Sequence, residues 1–193
     1  MKAIGYQKSL PIENELSLQD IELETPTAHG HDILVEVKAV SVNPVDFKIR
    51  QAMPAAEGEY KVIGWDATGV VKSVGENVSL FKPGDKVWYA GDITRSGSNA
   101  QFQLVDERIV GHMPSSLSYG EAAALPLTSI TAWELLFDRL NVAKNDHSKS
   151  ILVIGAAGGV GSIMVQLLKQ RTKLNIIASA SRAETISWLE DLG

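Results

Sequence analysis

The stretch at 151–168, "ILVIGAAGGVGSIMVQLL", constrains this chain more than any other. An apolar run over 151–155, too short for a helix, reads as a strand and enters a turn carrying Gly155, Gly158, Gly159 and Gly161. An amphipathic helix comes next over 161–170, then a second strand over 174–180 and a second helix over 181–193 ending on Gly193. Strand–helix–strand–helix predicts a right-handed parallel βαβ unit. A phosphate can sit at such a turn because backbone amides are presented without Cβ obstruction, and the helix N-terminus adds partial positive charge. Gly161 would let the helix approach the strand closely. A glycine-rich turn alone is also explained as a tight βα connection. Here, however, a strand precedes it, a helix succeeds it, and the next strand comes about 20 residues on, as a dinucleotide site requires. The expected pyrophosphate contacts are Gly155, Ala157, Gly158, Gly159, Val160 and Gly161.

The end of the second strand bears on which dinucleotide. Enzymes that use NAD generally carry an acid there for the ribose hydroxyls. This chain reads "ASASRAE" at 178–184, with Ser179 and Ser181 small and neutral and Arg182 cationic. Ser and Arg suit a 2′-phosphate through charge-assisted hydrogen bonds, whereas an acid repels it. Glu184 reads instead as the third helical residue paired with Ser181 as N-cap. NADPH is the expected cofactor, with Arg182 as a solvated first-turn residue the alternative.

The first half of the chain has a different period. In "ILVEVKAVSV" (33–42) Val35, Val37 and Ala39 alternate with Glu36 and Lys38, giving a half-buried strand that ends before Pro44. Further β-rich runs occupy 67–75 and 84–91, with a Pro-Gly turn signal at 81–87. The run 100–111 reads as one strand or a pair. Many short strands at close spacing predict a small barrel or sandwich. The pattern changes at "SYGE" (118–121), a capping box with Ser118 and Glu121. Pro126 divides the helical run after this box in two, about 119–125 and 127–140, and a polar connector spans 141–150. Domains are accordingly expected at 1–125 and 126–193. Two strands cannot make a doubly wound sheet, which normally has about six, so the second domain is expected to continue beyond this sequence.

Composition narrows the function classes. With 193 residues, 45% of them hydrophobic and 21% charged, the chain can bury a core. Its 18 Lys and Arg against 23 Asp and Glu give a net charge of −5 with no basic stripe, which argues against nucleic acid. The absence of cysteine excludes disulfides, thiolate zinc and a Cys nucleophile. The N-terminus lacks a signal-peptide core, and no apolar run approaches the roughly 20 residues of a membrane helix. A cytoplasmic protein is expected. His29, His31, His112 and His147 read as surface residues, since no thiolate or carboxylate cluster accompanies them.

Taken in order, "GWDATGVVKSVGENVSLFKPGDKV", "AAALPLTSITAWELLFDRL" and "VIGAAGGVG" resemble the medium-chain dehydrogenase/reductase superfamily. Within it the similarity points to the zinc-independent quinone oxidoreductase branch, which includes members labelled zinc-type alcohol dehydrogenase-like. The resemblance spans the chain. It implies an α/β protein with an N-terminal GroES-like β-barrel domain followed by the first portion of a Rossmann doubly wound sheet, with the active site in the cleft between them. Zinc-dependent relatives hold the catalytic metal with a Cys whose position falls on Asn43 and a His whose position falls on Trp65; Asp66 takes the place of the Glu after that His. Trp cannot ligate zinc and Asn does so poorly, so no metal is expected. The resemblance places Asn43 at the nicotinamide end of the cofactor and Thr128 near its carboxamide, making both cofactor-binding and catalytic candidates; capping roles at helix starts are the alternatives. Trp65 is expected as an apolar wall for a flat acceptor and Asp66 as a hydrogen-bonding group that orients its neighbours, completing the catalytic set. Asp46 reads mainly as a helix cap, Tyr89 as facing cleft or core, and Arg95 as a loop residue near substrate or solvent. The implied activity is hydride delivery from NADPH to a quinone or an activated alkene or carbonyl, in a homodimer or homotetramer of the full-length form. The alternatives are a non-enzymatic nucleotide-binding redox sensor or structural protein, and a zinc alcohol dehydrogenase with unusual ligands.

Overall fold

The structure is a computed structural model that describes residues 1–143 and 149–192. His147, part of the 141–150 connector, and Gly193 lie outside the described residues. Two compact units are present, Met1–Pro126 and Leu127–Gly193.

In the first unit β1 (Lys2–Tyr6), β2 (Gln19–Glu22), β3 (Asp32–Ser41), α1 (Pro44–Ala52), β4 (Lys61–Val62), β5 (Asp66–Val74), β6 (Lys86–Ala90), β7 (Phe102–Asp106), β8 (Val110–His112) and α2 (Tyr119–Ala123) succeed one another. They form an antiparallel five-stranded sheet, β7-β3-β5-β6-β8, and a three-stranded sheet, β2-β1-β4. The described strands thus make two open sheets, bridged at Ala3 and Ala100, rather than one closed ring of pairing. The run 100–111 is a strand pair: a 3₁₀ turn at Glu107–Ile109 separates β7 from β8, which lie at opposite edges of the larger sheet.

The alternation expected in β3 holds only in part. Ile33 and Val35 are fully buried, but Leu34 is also buried, and Val37 and Ala39 are half-buried. The pairing with β5 is irregular at two points, between Leu34 and Val35, where Lys72 is the extra residue, and between Val37 and Ala39, where Lys38 is. The larger core packs Ile33, Val35, Ala67, Val71, Phe81, Val87, Tyr89 and Val105. A smaller one, under α1, contains Tyr6, Ile63 and Trp65 with Leu18, Val45 and Ile49 against them. Its helix is pinned by polar groups as well, since Tyr6 Oη donates to Met53 O at 2.7 Å and Arg50 Nη1 to Leu10 O at 2.7 Å.

The second unit contains α3 (Pro126–Trp133), β9 (Ser150–Val153), α4 (Gly159–Arg171), β10 (Asn175–Ala178) and α5 (Ala183–Asp191). Pro126 is the first residue of α3, where its missing N–H leaves no helical bond unmade. After Trp133 the helix widens into a π turn over Glu134–Arg139, closed by Leu140 N–H donating to Leu135 O at 3.0 Å. β9 and β10 pair in parallel, Ser150 with Asn175 through Val153 with Ala178. Ala132, Leu136, Val153, Ala156, Met164, Val165, Leu168 and Leu189 form the core of this unit. Among the described residues no helix is long and apolar enough to cross a membrane.

Candidate functional site

In the second unit the glycine turn is built as the spacing demands. β9 ends at Val153, Gly155 takes φ +66°, and Gly158 N–H donates back to Gly155 O at 3.0 Å. Gly158 then caps the 13-residue α4 in an extended conformation, without a side-chain cap. The first-turn amides Gly159, Val160 and Gly161 have no carbonyl within the helix to bond, which makes them donors to an anion. Gly161 provides close packing: a Cβ there would lie 2.6 Å from Ala156 Cα and O. A Cβ at Gly159 would come 3.2 Å from the Thr128 methyl, so α3 brings Thr128 against the turn.

The end of β10 is fastened to the same turn by one residue. Ser179 Oγ accepts from Gly155 N–H at 3.2 Å, Ser179 O accepts from Ala156 N–H at 3.1 Å, and Ser179 N–H donates to Val153 O at 3.0 Å. The Ser179 hydroxyl, expected at a 2′-phosphate, also accepts a bond from the turn. The signal for this is present in the sequence, a serine ending one strand of a parallel pair opposite a glycine-rich connection.

The cap expected of Ser181 is not formed. Helix α5 starts one residue later, with Arg182 as N-cap, and Thr185 Oγ1 donates to Arg182 O at 2.7 Å. Glu184, now the second helical residue, lies with Oε1 3.4 Å from Arg182 Nε. The shift in helix start turns Glu184 away from Ser181 and toward the arginine. Ser181 and Arg182 are both exposed beside the pinned strand end.

In the first unit the polar corner at the start of α1 gathers three of the expected residues. Asp66 is completely buried, and Asn43 Nδ2 donates to its Oδ2 at 2.7 Å. Asn43 N–H donates to Asp46 Oδ2 at 2.7 Å, completing a capping box at the helix start. Asp46 is 5% exposed, and burial pushes its carboxyl up from the usual range, against hydrogen bonds from the Asn43 and Gly64 backbone that act the other way. Asn43 therefore joins two buried carboxylates and caps a helix at once.

Trp65 is enclosed in the interior of the first unit. At 1% exposure its ring lies in the smaller core, with the indole N–H buried and without a partner. The expected apolar wall is a packing residue because Gly64, at φ +103°, turns the chain before β5 begins at Asp66. Tyr89 is likewise a core residue, and burial raises its hydroxyl's pKa; it donates to Gln103 Oε1 at 2.9 Å. Arg95 is bound in a two-pronged pair with Asp32, at 2.8 and 2.7 Å. His31 Nδ1 lies 2.8 Å from Oε1 of the buried Glu107, and the His112 ring packs on Phe81 at 4.7 Å. Among the described residues no group of three or more His, Asp or Glu stands together as metal ligands.

Comparison with known proteins gives the fold a lineage. Residues 29–131, more than half of the chain, match the family model described as the alcohol dehydrogenase GroES-like domain. A zinc-type alcohol dehydrogenase-like protein of Staphylococcus aureus (strain MRSA252) is 47% identical across 100% of this chain and 58% of its own length. The 2-methylene-furan-3-one reductase of Solanum lycopersicum is 36% identical over 98% of the chain and 48% of its own length. A crystal structure from Rhizobium etli CFN 42, solved as a candidate zinc-dependent alcohol dehydrogenase, superposes with a TM-score of 0.94 at 60% identity, over 100% of this chain and 57% of that one. The chain thus spans about half the length of these relatives, from 48% to 58%. On the family match and these identities, the chain belongs to the alcohol dehydrogenase GroES-like family of the medium-chain dehydrogenase/reductase superfamily.

Proposed function

We propose that the protein is an oxidoreductase that binds NADPH at the turn after β9 and reduces a flat, electron-poor acceptor, a quinone or an activated alkene or carbonyl, without a catalytic metal. The observation that carries this reading is the turn itself. A positive-φ glycine and three first-turn amides without helical acceptors stand at the head of a long helix, fastened to the end of the next strand by Ser179. The residues fit a dinucleotide: Gly155, Ala157, Gly158, Gly159, Val160 and Gly161 for the pyrophosphate, Thr128 beside them, and Ser181 and Arg182 for a 2′-phosphate. When bound, a reduced nicotinamide supplies hydride. The protein's own contribution is orientation, which is where catalysis between two flat partners chiefly lies.

The metal-free reading rests on side-chain chemistry. Where relatives with zinc use a Cys and a His, this chain has an Asn whose amide nitrogen is a committed donor to Asp66, and a Trp enclosed in the core. Asp66 and Asp46 fix Asn43 so that its side chain keeps one geometry. The activated alkene among the proposed acceptors draws on the 36% identical relative, whose name denotes a reductase of such a compound. Thr128 and Asn43 are the proposed nicotinamide contacts, and a homodimer or homotetramer is the proposed full-length assembly.

The test is NADPH oxidation by the full-length protein against a panel of small quinones and enones, with metal content measured on the same sample. Turnover with at least one acceptor and no stoichiometric zinc is expected. Tight NADPH binding without turnover would move the protein to a non-enzymatic nucleotide binder, and stoichiometric zinc required for turnover would overturn the metal-free reading.

A further inference from the structure

Arg182 is not waiting for its ligand alone. Glu184 Oε1 lies 3.4 Å from its Nε, both side chains are about 70% exposed, and both stand at the first turn of α5. A carboxylate at the second position of a helix is favoured by the helix dipole, and its oxygens occupy the kind of place a phosphate would take. Ser179 fixes the base of this arrangement to the glycine turn, so the arginine and its acidic neighbour stand at the same end of the β9–β10 pair as the turn. The contact is made through Nε, on a guanidinium that carries five N–H donors in all.

We infer that Glu184 is a specificity-determining residue that competes, as an internal carboxylate, with the 2′-phosphate of the cofactor for Arg182. The inference rests on the NADPH reading and sharpens it. A phosphate, with close to two charges and three acceptor oxygens, displaces a single exposed carboxylate. The displacement has a cost, so Glu184 lowers the affinity for NADPH and narrows the gap between NADPH and NADH. The exposed pair is weak, so the effect is small and must be measured against its partner.

Isothermal titration of NADPH and NADH into the full-length protein decides the matter, with wild type, Glu184→Gln, Arg182→Ala and the double variant. Glu184→Gln is expected to tighten NADPH by about two- to fivefold, the size of an exposed ion pair, and not to tighten NADH. Arg182→Ala is expected to weaken NADPH by about tenfold or more and leave NADH unchanged. In the Arg182→Ala background, Glu184→Gln is expected to change nothing, because the competition is for the arginine. An equal gain on both backgrounds would show plain charge repulsion, and no gain on wild type would show no competition; either overturns the inference while NADPH binding stands. If Arg182→Ala leaves NADPH affinity intact, or wild type binds neither nucleotide, the cofactor reading falls and this inference with it.

Discussion

At single residues the structure separates two demands that both select glycine. Gly161 has ordinary helical surroundings but no room, since a Cβ would sit 2.6 Å from the Ala156 backbone. Helix propensity alone would make Gly161→Ala a gain of about 1 kcal/mol. Overpacking against backbone costs about 1–3 kcal/mol, so the variant is expected to lower the Tm, as thermal unfolding followed by circular dichroism will show. Gly64 combines both demands, with φ +103° and Ser98 Oγ 2.6 Å from the place of a Cβ, whereas Gly84, at φ +95°, has open space. Gly84→Ala is expected to cost about 1–3 kcal/mol from conformation alone, and Gly64→Ala more, as the urea midpoints of the two variants should show. Glycine positions can be read from sequence, but which demand each meets cannot, because the colliding atoms come from remote parts of the chain. The same remoteness hides the role of Trp65. Its flanking glycines are visible in the sequence, but the turn that sends the ring into the core is set by backbone conformation at Gly64 and by packing from β1 and α1.

At the level of elements, helix starts are the most legible feature and also the place where expectation and structure part most clearly. Ser118 and Glu121 form the expected box, with Glu121 Oε2 accepting from Ser118 N–H at 2.8 Å. The identical spacing at Ser181 and Glu184 gives no box, because Arg182 adopts the extended cap conformation and the helix begins at Ala183. Ser118→Ala is therefore expected to cost about 1 kcal/mol, while Ser181→Ala is expected to be close to neutral in stability. Equilibrium urea unfolding of the two variants checks the contrast. At α1, Asn43→Ala removes a donor from the buried Asp66 carboxylate, and a loss of about 2–3 kcal/mol is expected, larger than that of an ordinary cap. Asp46 is legible as a cap; its burial, and Asn43's bridge to Asp66, are not, since they depend on β5 lying beside the helix start.

Over the whole molecule, the period of hydrophobic residues is enough to give the change from β-rich first unit to βαβ second unit. Strand order is not readable, because β7 pairs with β3 across many intervening residues and local pattern carries no register. Electrostatics also emerges only from the folded chain. Glu107 accepts from His31, Ser79 N–H and Leu80 N–H, and the His31 bond foremost holds its carboxyl below the usual carboxylate range. Its contribution is complete above the ordinary value of 4.5 and is lost as pH falls through the lower folded value. Asp46 acts in the opposite sense, since a raised folded pKa favours the fold at low pH and withdraws that support as pH rises. Glu36, Glu76, Asp92, Asp106 and Glu121 are also lowered but lie at the surface, where solvent discounts them. Stability is therefore expected to decline below about pH 4.5, and Glu107→Gln to flatten that decline, as urea midpoints measured from about pH 7 to about pH 3.5 will show.

The placement of the tryptophans has an optical consequence. Trp65, sealed from water with its indole N–H unpaired, belongs to the first unit, whereas Trp133 and Trp188, 40% and 49% exposed, belong to the second. Trp88, half-buried in β6, stands between these extremes. Trp65 is expected to emit at the blue edge of the spectrum and resist acrylamide, and the exposed pair to emit at longer wavelength and be quenched. The chain thus carries its own two-colour reporter, and a red shift of the unquenchable component marks the moment when water reaches the core beneath α1.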